Sequence, residues 1–96
     1  MYRIKNIKTG LYYQPIKSGC NLSPKGKVYQ TKTNILNMGF STKINLSVNK
    51  KNRVYPIIEQ AYLKDWKDWR GKSLDEYNYE QINFYAPKDD FVIEKI

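Results

Sequence analysis

The strongest indication of the fold lies at the start of the chain, in residues 1–30, MYRIKNIKTGLYYQPIKSGCNLSPKGKVYQ. Apolar and polar side chains alternate over the first six residues, and the chain turns back at Lys8-Thr9-Gly10, where glycine can adopt positive φ. Alternation of this kind is typical of a β-strand with two unlike faces. The stretch therefore predicts a β-hairpin with Tyr2 and Ile4 on one face and cations on the other.

Working outward, a loop with glycines and a proline follows the hairpin, and the triplet Lys27-Val28-Tyr29 then predicts a third strand from its β-branched and aromatic content. Tyr12 and Tyr13 are adjacent in the second strand, so their side chains point to opposite faces and one of them is expected outside. Together with Tyr29 they predict a basic sheet surface rich in tyrosine.

Charge is distributed very unevenly along the chain. Residues 1–58 contain eleven bases and no acid, whereas residues 59–96 contain six bases and nine acids, for a net charge of +8. A surface that only serves solubility normally carries positive and negative charges interspersed. Because more than half of the chain carries only positive charge, we expect a surface that binds phosphates or an acidic protein. The alternative, a codon bias toward lysine, accounts for the many lysines but not for the missing acids.

The middle of the chain predicts a short helix and a second hairpin. Residues 31–39 have capping threonines and a terminal glycine, which favours about two helical turns followed by Phe40 as a core anchor. The alternation over Lys43–Asn49 is the clearest strand signal in the sequence. After a polar turn, Arg53-Val54-Tyr55 is expected to pair with it, and Lys50, Lys51 and Arg53 would form a basic finger at the tip.

The second half predicts one long helix and a closing strand. Ile58, Tyr62, Trp66 and Trp69 recur at helical spacing over residues 56–70, so both tryptophans are expected mainly in the core, and a ligand platform is the alternative.

The capping pattern Ser73-Leu74-Asp75-Glu76 predicts a further helical turn, while the tyrosines of residues 73–85 leave helix and strand both open. A turn at residues 86–90 and a strand at residues 91–96 follow, with Phe91 and Ile93 packed against the N-terminal sheet.

These elements predict an α+β fold: a small antiparallel β-sheet, made of N-terminal hairpins and the C-terminal strand, packed against one or two helices. Residues 1–96 are expected to form a single domain, since the length suits one core. Its basic, β-rich half is residues 1–58, and its mixed-charge half, residues 59–96, holds the helix and the closing strand.

Residue types argue against several catalytic and metal sites. The chain has no histidine, which excludes Ser/His/Asp and Cys/His nucleophile systems and imidazole metal ligands. The acidic pairs Asp75-Glu76 and Asp89-Asp90 fit a helix start and a turn better than a Mg²⁺ site. We therefore predict no catalytic residue, no metal and no cofactor. One enzymatic alternative is a RelE-like small RNase, which works with Lys, Arg and Tyr but usually begins with a strand and a long helical hairpin.

What remains is binding, with cations contacting phosphates and rings stacking on bases. The predicted binding residues are Arg3, Lys5, Lys8, Tyr12, Lys17, Lys25, Lys27, Lys32, Lys43, Lys50, Lys51 and Arg53. RNA and an acidic protein both fit as the direct ligand, and the oligomeric state stays open. The lone Cys20 fits a loop or half-buried thiol in a reducing compartment, and the chain lacks an apolar run long enough for a membrane span, so an intracellular protein is expected.

Four segments resemble small basic proteins encoded by tailed bacteriophages, and the resemblance covers roughly the first 40 residues and the last six. The segments are YRIKN at residues 2–6, KTGLYY at 8–13, GKVY at 26–29 and FVIE at 91–94. In size and charge the chain is also similar to the TifA-like phage inhibitors of the ToxN ribonuclease toxin.

This resemblance implies an early protein for counter-defence, acting in the host bacterial cytoplasm. It would bind RNA or an RNA–protein complex and inhibit a host nuclease or toxin stoichiometrically. The alternative is a protein-only inhibitor that covers an acidic patch of a host defence enzyme or polymerase.

Overall fold

The computed structural model describes residues 1–17, 19–32 and 43–96, and within them the predicted α+β class is confirmed. The strands are β1 Tyr2–Asn6, β2 Tyr12–Lys17, β3 Cys20–Ser23, β4 Lys43–Asn49, β5 Gln81–Pro87 and β6 Phe91–Lys95. The helix α1 spans Tyr55–Tyr62, and Leu74–Glu76 and Lys88–Asp90 are single 3-10 turns. None of the helices in these three ranges has the length and apolar content of a membrane span.

Four antiparallel strands form the first sheet, in the order β3-β2-β1-β6. The predicted N-terminal hairpin is confirmed, with Gly10 at φ 74° in its turn and Ile4 buried on the inner face. The closing strand is also confirmed, because β6 pairs with β1 along its whole length. Phe91 packs against the core, but Ile93 stays 39% exposed at the edge of the sheet, so its predicted burial was wrong.

The third strand lies earlier than predicted, at β3 rather than at Lys27–Tyr29. The chain turns back directly at Gly19, and Cys20 and Leu22 alternate inward from a stretch that lacks β-branched residues. Tyr29 forms only an isolated bridge with Tyr2 and is buried beside Ile4. The predicted place of Tyr29 on the outer surface was therefore wrong. Tyr13 packs inward while Tyr12 contacts Arg3 and Glu94, so the expectation that these two side chains point to opposite faces is confirmed. Burial raises the pKa of Tyr13 and of Tyr29.

The second sheet contains two strands, β4 and β5. The β4 strand is confirmed, but its predicted partner at residues 53–55 was wrong, because this segment enters α1 instead. β4 pairs antiparallel with β5 from Lys43↔Pro87 to Asn49↔Gln81. For residues 73–85 the sequence left both helix and strand open. The structure has one 3-10 turn followed by a strand, in which Ile82 and Phe84 face the core.

The long helix predicted over residues 56–70 ends at Tyr62 instead. Further along, the Asp68 carboxylate accepts hydrogen bonds from the backbone amides of Arg70 (2.9 Å) and Lys72 (2.8 Å), which stabilises a turn in competition with helix. Trp69 is consequently 90% exposed, so its predicted core position was wrong. The helix predicted at residues 31–39 lies mostly outside the described residues, and Phe40 lies wholly outside them.

The two sheets share one hydrophobic core. Leu22 of β3, Leu46 of β4, Ile58 of α1 and Ile82 of β5 are all completely or almost completely buried in it. Cys20 belongs to the same cluster, and burial raises the pKa of its thiol. At about 25 cal/mol per Å² of apolar surface, such shared burial is the main attraction between the sheets.

A buried polar network ties the end of β1 to the helical side of the domain. Asn6 is fully buried, and its side-chain amide donates to the Tyr62 hydroxyl at 2.7 Å while its carbonyl oxygen accepts from the Thr9 amide at 2.9 Å. The Tyr62 hydroxyl in turn donates to the Asp90 carboxylate at 2.9 Å. Burial is the main reason why the pKa of Tyr62 is raised above its usual value near 10.

We expect Tyr62→Phe to lower the free energy of unfolding by about 1–3 kcal/mol, since it leaves the buried Asn6 amide without its acceptor. The native state favours the neutral phenol, so this contribution is complete below about pH 10 and is lost as the pH rises further. Urea unfolding at pH 8 and pH 10.5 measures both effects. The wild type should lose more stability between the two pH values than Tyr62→Phe, and Tyr85→Phe, at an exposed ring, should behave as wild type. Equal stability of Tyr62→Phe and wild type at pH 8 would contradict the role of the network.

Candidate nucleic-acid interface

A groove of about 570 Å³ gathers three of the predicted binding cations from three separate segments. Lys17 ends β2, Lys25 lies in the loop after β3, and Arg53 lies in the turn between β4 and α1. Among the described residues that line this groove there is no acid. We call it the basic groove, and its arrangement suits a polyanion, since several cations around one concavity focus the positive field.

Gly26 positions the loop that carries Lys25. It has φ 65°, and a Cβ atom there would clash with Tyr12 Cβ and lie 2.9 Å from the Tyr13 carbonyl oxygen. The loop can therefore cross β2 closely only because this residue has no side chain. The Lys27 amide completes the contact by donating to the Tyr13 carbonyl at 3.0 Å.

A chain of hydrogen bonds shapes the floor of the basic groove. The Gly26 amide donates to Ser23 Oγ at 2.7 Å, and this hydroxyl donates to Gln14 Oε1 at 2.9 Å. Gln14 Nε2 donates in turn to the Cys20 carbonyl at 3.2 Å. Because these polar groups are engaged with one another, the groove presents chiefly positive charge to a ligand.

Arg53 reaches the groove from the second sheet, through a turn held by asparagine side chains. Asn49 Oδ1 accepts from the Lys51 amide at 2.8 Å, and Asn52 Oδ1 accepts from the Val54 amide at 3.1 Å. Such side-chain-to-backbone bonds favour a turn over continued strand. The basic finger predicted at a hairpin tip is thus a turn into α1, and only Arg53 of its three cations lines the basic groove.

Three other predicted residues form a separate cluster on the outer face of the first sheet. Arg3 lies over the Tyr12 ring at 4.0 Å, and Glu94 of β6 accepts from Arg3 at 3.4 Å and from the Tyr12 hydroxyl at 2.8 Å. Lys5 lies 4.0 Å from the same carboxylate. Chiefly because of the hydrogen bond to Glu94, the pKa of Tyr12 is raised. Glu94 partly neutralises the two cations of this cluster. The cluster therefore attracts a polyanion less strongly than the basic groove does.

The remaining predicted cations are spread over the surface. Lys50 donates to the Tyr77 carbonyl at 3.2 Å, and Lys51 pairs with Glu80 at 2.9 Å. The other four are exposed: Lys8 in the first turn, Lys27 near the Tyr29 ring, Lys32 near the Tyr2 ring, and Lys43 at the start of β4.

A second groove, of about 530 Å³, lies between β5 and the loop of residues 66–70. Sequence reasoning named its two tryptophans only as an alternative ligand platform and missed its other lining residues. Its ring-bearing residues are Trp66, Trp69, Tyr77, Tyr79, Phe84 and Tyr85. We call it the aromatic groove. One sequence signal for it was available: Trp69 stands between Asp68 and Arg70 and shortly before Gly71, which is more typical of a loop than of a helix interior.

In comparisons with known proteins, no family model, no curated protein and no solved structure matches this chain. Over the ranges 1–17, 19–32 and 43–96, no three His, Cys, Asp or Glu side chains are grouped so that they could hold a metal ion.

The close approach at Gly26 can be tested against Gly10, which also has positive φ but around which a Cβ atom would meet no other atom within 4 Å. Gly10→Ala should cost about 1–2 kcal/mol of stability from backbone strain alone. Gly26→Ala should cost a further ~1–3 kcal/mol, because the new methyl group overlaps β2. Urea denaturation of the two variants measures the difference. Equal losses would mean that the loop after β3 does not depend on this contact.

Proposed function

We propose that this protein binds RNA through the basic groove and acts by binding rather than by catalysis. The observation that carries the proposal is the convergence of Lys17, Lys25 and Arg53 on one groove whose described lining contains no acid. Phosphate contacts of this kind supply most of the sequence-independent affinity for nucleic acid. RNA is favoured over duplex DNA because the groove is bounded by loops and strand ends, and no helix of the described residues is arranged with a partner as in a helix-turn-helix reader.

The biological role that we propose is inhibition of a host nuclease or toxin by occupying RNA or an RNA–protein complex. The resemblance to small basic phage proteins supports a counter-defence role in the host bacterial cytoplasm. Stoichiometric inhibition requires an interface with suitable charge and no reacting groups. The basic groove provides such charge through Lys17, Lys25 and Arg53. Its Ser23 hydroxyl and Gln14 amide are engaged in hydrogen bonds within the protein.

The proposal predicts that RNA affinity falls steeply with salt and depends on the groove cations. Each phosphate contact on a single strand adds about −0.7 to the slope of log K against log salt concentration. We therefore expect Lys25→Glu and Arg53→Glu each to weaken RNA binding by roughly 5- to 10-fold at about 100 mM salt and to flatten the slope. Fluorescence anisotropy with single-stranded RNA, structured RNA and duplex DNA measures this.

Lys88→Glu is the matched control, because it makes the same charge change at an exposed position in the 3-10 turn between β5 and β6. It should weaken binding less than either groove variant. If the three reversals weaken binding equally, net charge rather than the basic groove governs affinity. Absence of RNA binding by the wild type at about 50 mM salt would overturn the proposed function.

A second prediction separates RNA from an acidic protein as the direct ligand in the host. Host material captured on the wild-type protein should contain RNA, and RNase treatment should release the co-captured proteins, because they are bridged by RNA. Capture on the Lys25→Glu, Arg53→Glu double variant gives the background. Proteins that stay bound after complete digestion would favour the protein-only inhibitor, since Coulomb attraction to an acidic patch needs no RNA.

A further inference from the structure

The aromatic groove combines fixed and exposed rings. Trp66 Nε1 donates to the Asn83 carbonyl at 2.9 Å, and the Tyr77 hydroxyl donates to the Gln81 carbonyl at 3.2 Å. Both acceptors belong to β5, so these two rings satisfy backbone groups of that strand. They also contact each other edge to face, with centroids 5.0 Å apart. One wall of the groove therefore consists of two rings held by backbone hydrogen bonds and by their contact with each other.

The other rings of the groove differ in their surroundings. Phe84 is buried in the core, Tyr79 contacts the Tyr77 ring with centroids 5.4 Å apart, and the Arg70 guanidinium lies 5.4 Å from the centroid of the Trp69 ring. Trp69 is 90% exposed, Tyr85 67% and Tyr79 63%, although all three line the same groove. Exposure of large rings to water costs free energy, about 25 cal/mol for each Å² of apolar surface that is not buried. Contiguous exposed apolar patches therefore mark interaction sites.

Ring content and charge describe the lining of the aromatic groove. None of the described residues of this groove is aliphatic, so its apolar surface consists of ring faces. Two cations, Lys67 and Arg70, accompany one acid, Asp68, whose carboxylate is already engaged by Arg70 at 3.1 Å and by two backbone amides. Flat rings beside an excess of positive charge are complementary to an unpaired base and its phosphate.

We propose that the aromatic groove stacks an unpaired base of single-stranded RNA on Trp69, with Lys67 close to the adjoining phosphate. This inference rests on the proposed function and deepens it, because it names unpaired RNA as the preferred ligand. The basic groove then supplies affinity for any RNA backbone, and the aromatic groove discriminates strands with exposed bases from duplexes, whose bases are already stacked on one another.

Trp69→Ala tests the inference, with Trp69→Phe as the conservative control. The probes are a labelled 12-nucleotide oligouridine strand and a blunt RNA duplex of the same length, measured by anisotropy at one salt concentration. Trp69→Ala should weaken binding of the single strand about 5- to 100-fold, the range found when a stacking ring is removed, and binding of the duplex less than about twofold. Trp69→Phe should restore most of the affinity, since it keeps a ring.

The unfolding midpoint of Trp69→Ala serves as the control for folding. We expect it to equal that of the wild type, because a side chain that is 90% exposed contributes little to the core. Equal unfolding midpoints of Trp69→Ala and wild type would confirm that the variant is folded. If the wild type binds RNA and Trp69→Ala binds the single strand equally well, or loses both probes equally, the stacking inference is overturned and the proposed function stands. The groove would then suit a protein partner or a second copy. If the wild type binds neither probe, the proposed function fails and this inference fails with it.

Discussion

The two sheets are joined by a shared core and by side-chain amides that hydrogen-bond across the junction, of which Asn21 is one and Gln81, which donates to the Gly19 carbonyl at 2.8 Å, is another. Asn21 Oδ1 accepts from the Ser47 amide of β4 at 2.9 Å, and Asn21 Nδ2 donates to the Gln14 carbonyl of β2 at 3.1 Å. An amide can serve both sides because it carries a donor and an acceptor on one rigid group. Near this junction the turn after β4, with Arg53, and the loop that carries Lys25 line the same groove. The shared core attracts the sheets, and the hydrogen bonds of Asn21 satisfy backbone groups on both of them.

The charge of the domain is more localised than its composition suggests. Acids of the second half neutralise part of the basic first half across long sequence distances: Glu94 contacts Arg3 and Lys5, and Glu80 pairs with Lys51. Exposed pairs of this kind add little stability, about 0–1 kcal/mol each, but they change the field at the surface. Three cations with no acid among the described lining residues lie together in the basic groove, so the positive field is strongest where it is not offset by such pairs.

Aromatic residues have three different roles that composition cannot separate. Tyr29 fills the small core beside Ile4, Trp66 covers the backbone of β5, and Trp69 projects into solvent. In the proposed function, phosphate contacts in the basic groove would not distinguish one nucleic acid from another, because every strand carries the same backbone charge. Stacking on the rings of the aromatic groove would add a requirement for unpaired bases. Irregular or single-stranded RNA is therefore the ligand under both proposals together.

The sequence by itself determined the N-terminal hairpin, β4, the closing strand and the α+β class, because local alternation of apolar and polar residues reports directly on strand faces. Only the tertiary structure decided that β4 pairs with β5, that Trp69 is exposed, and that Lys17, Lys25 and Arg53 share a groove. The physical reason is that periodicity says which face is apolar but not what covers it. Strand partners and convergent side chains depend on contacts between distant segments, such as Asn21 with Ser47, that no local pattern encodes.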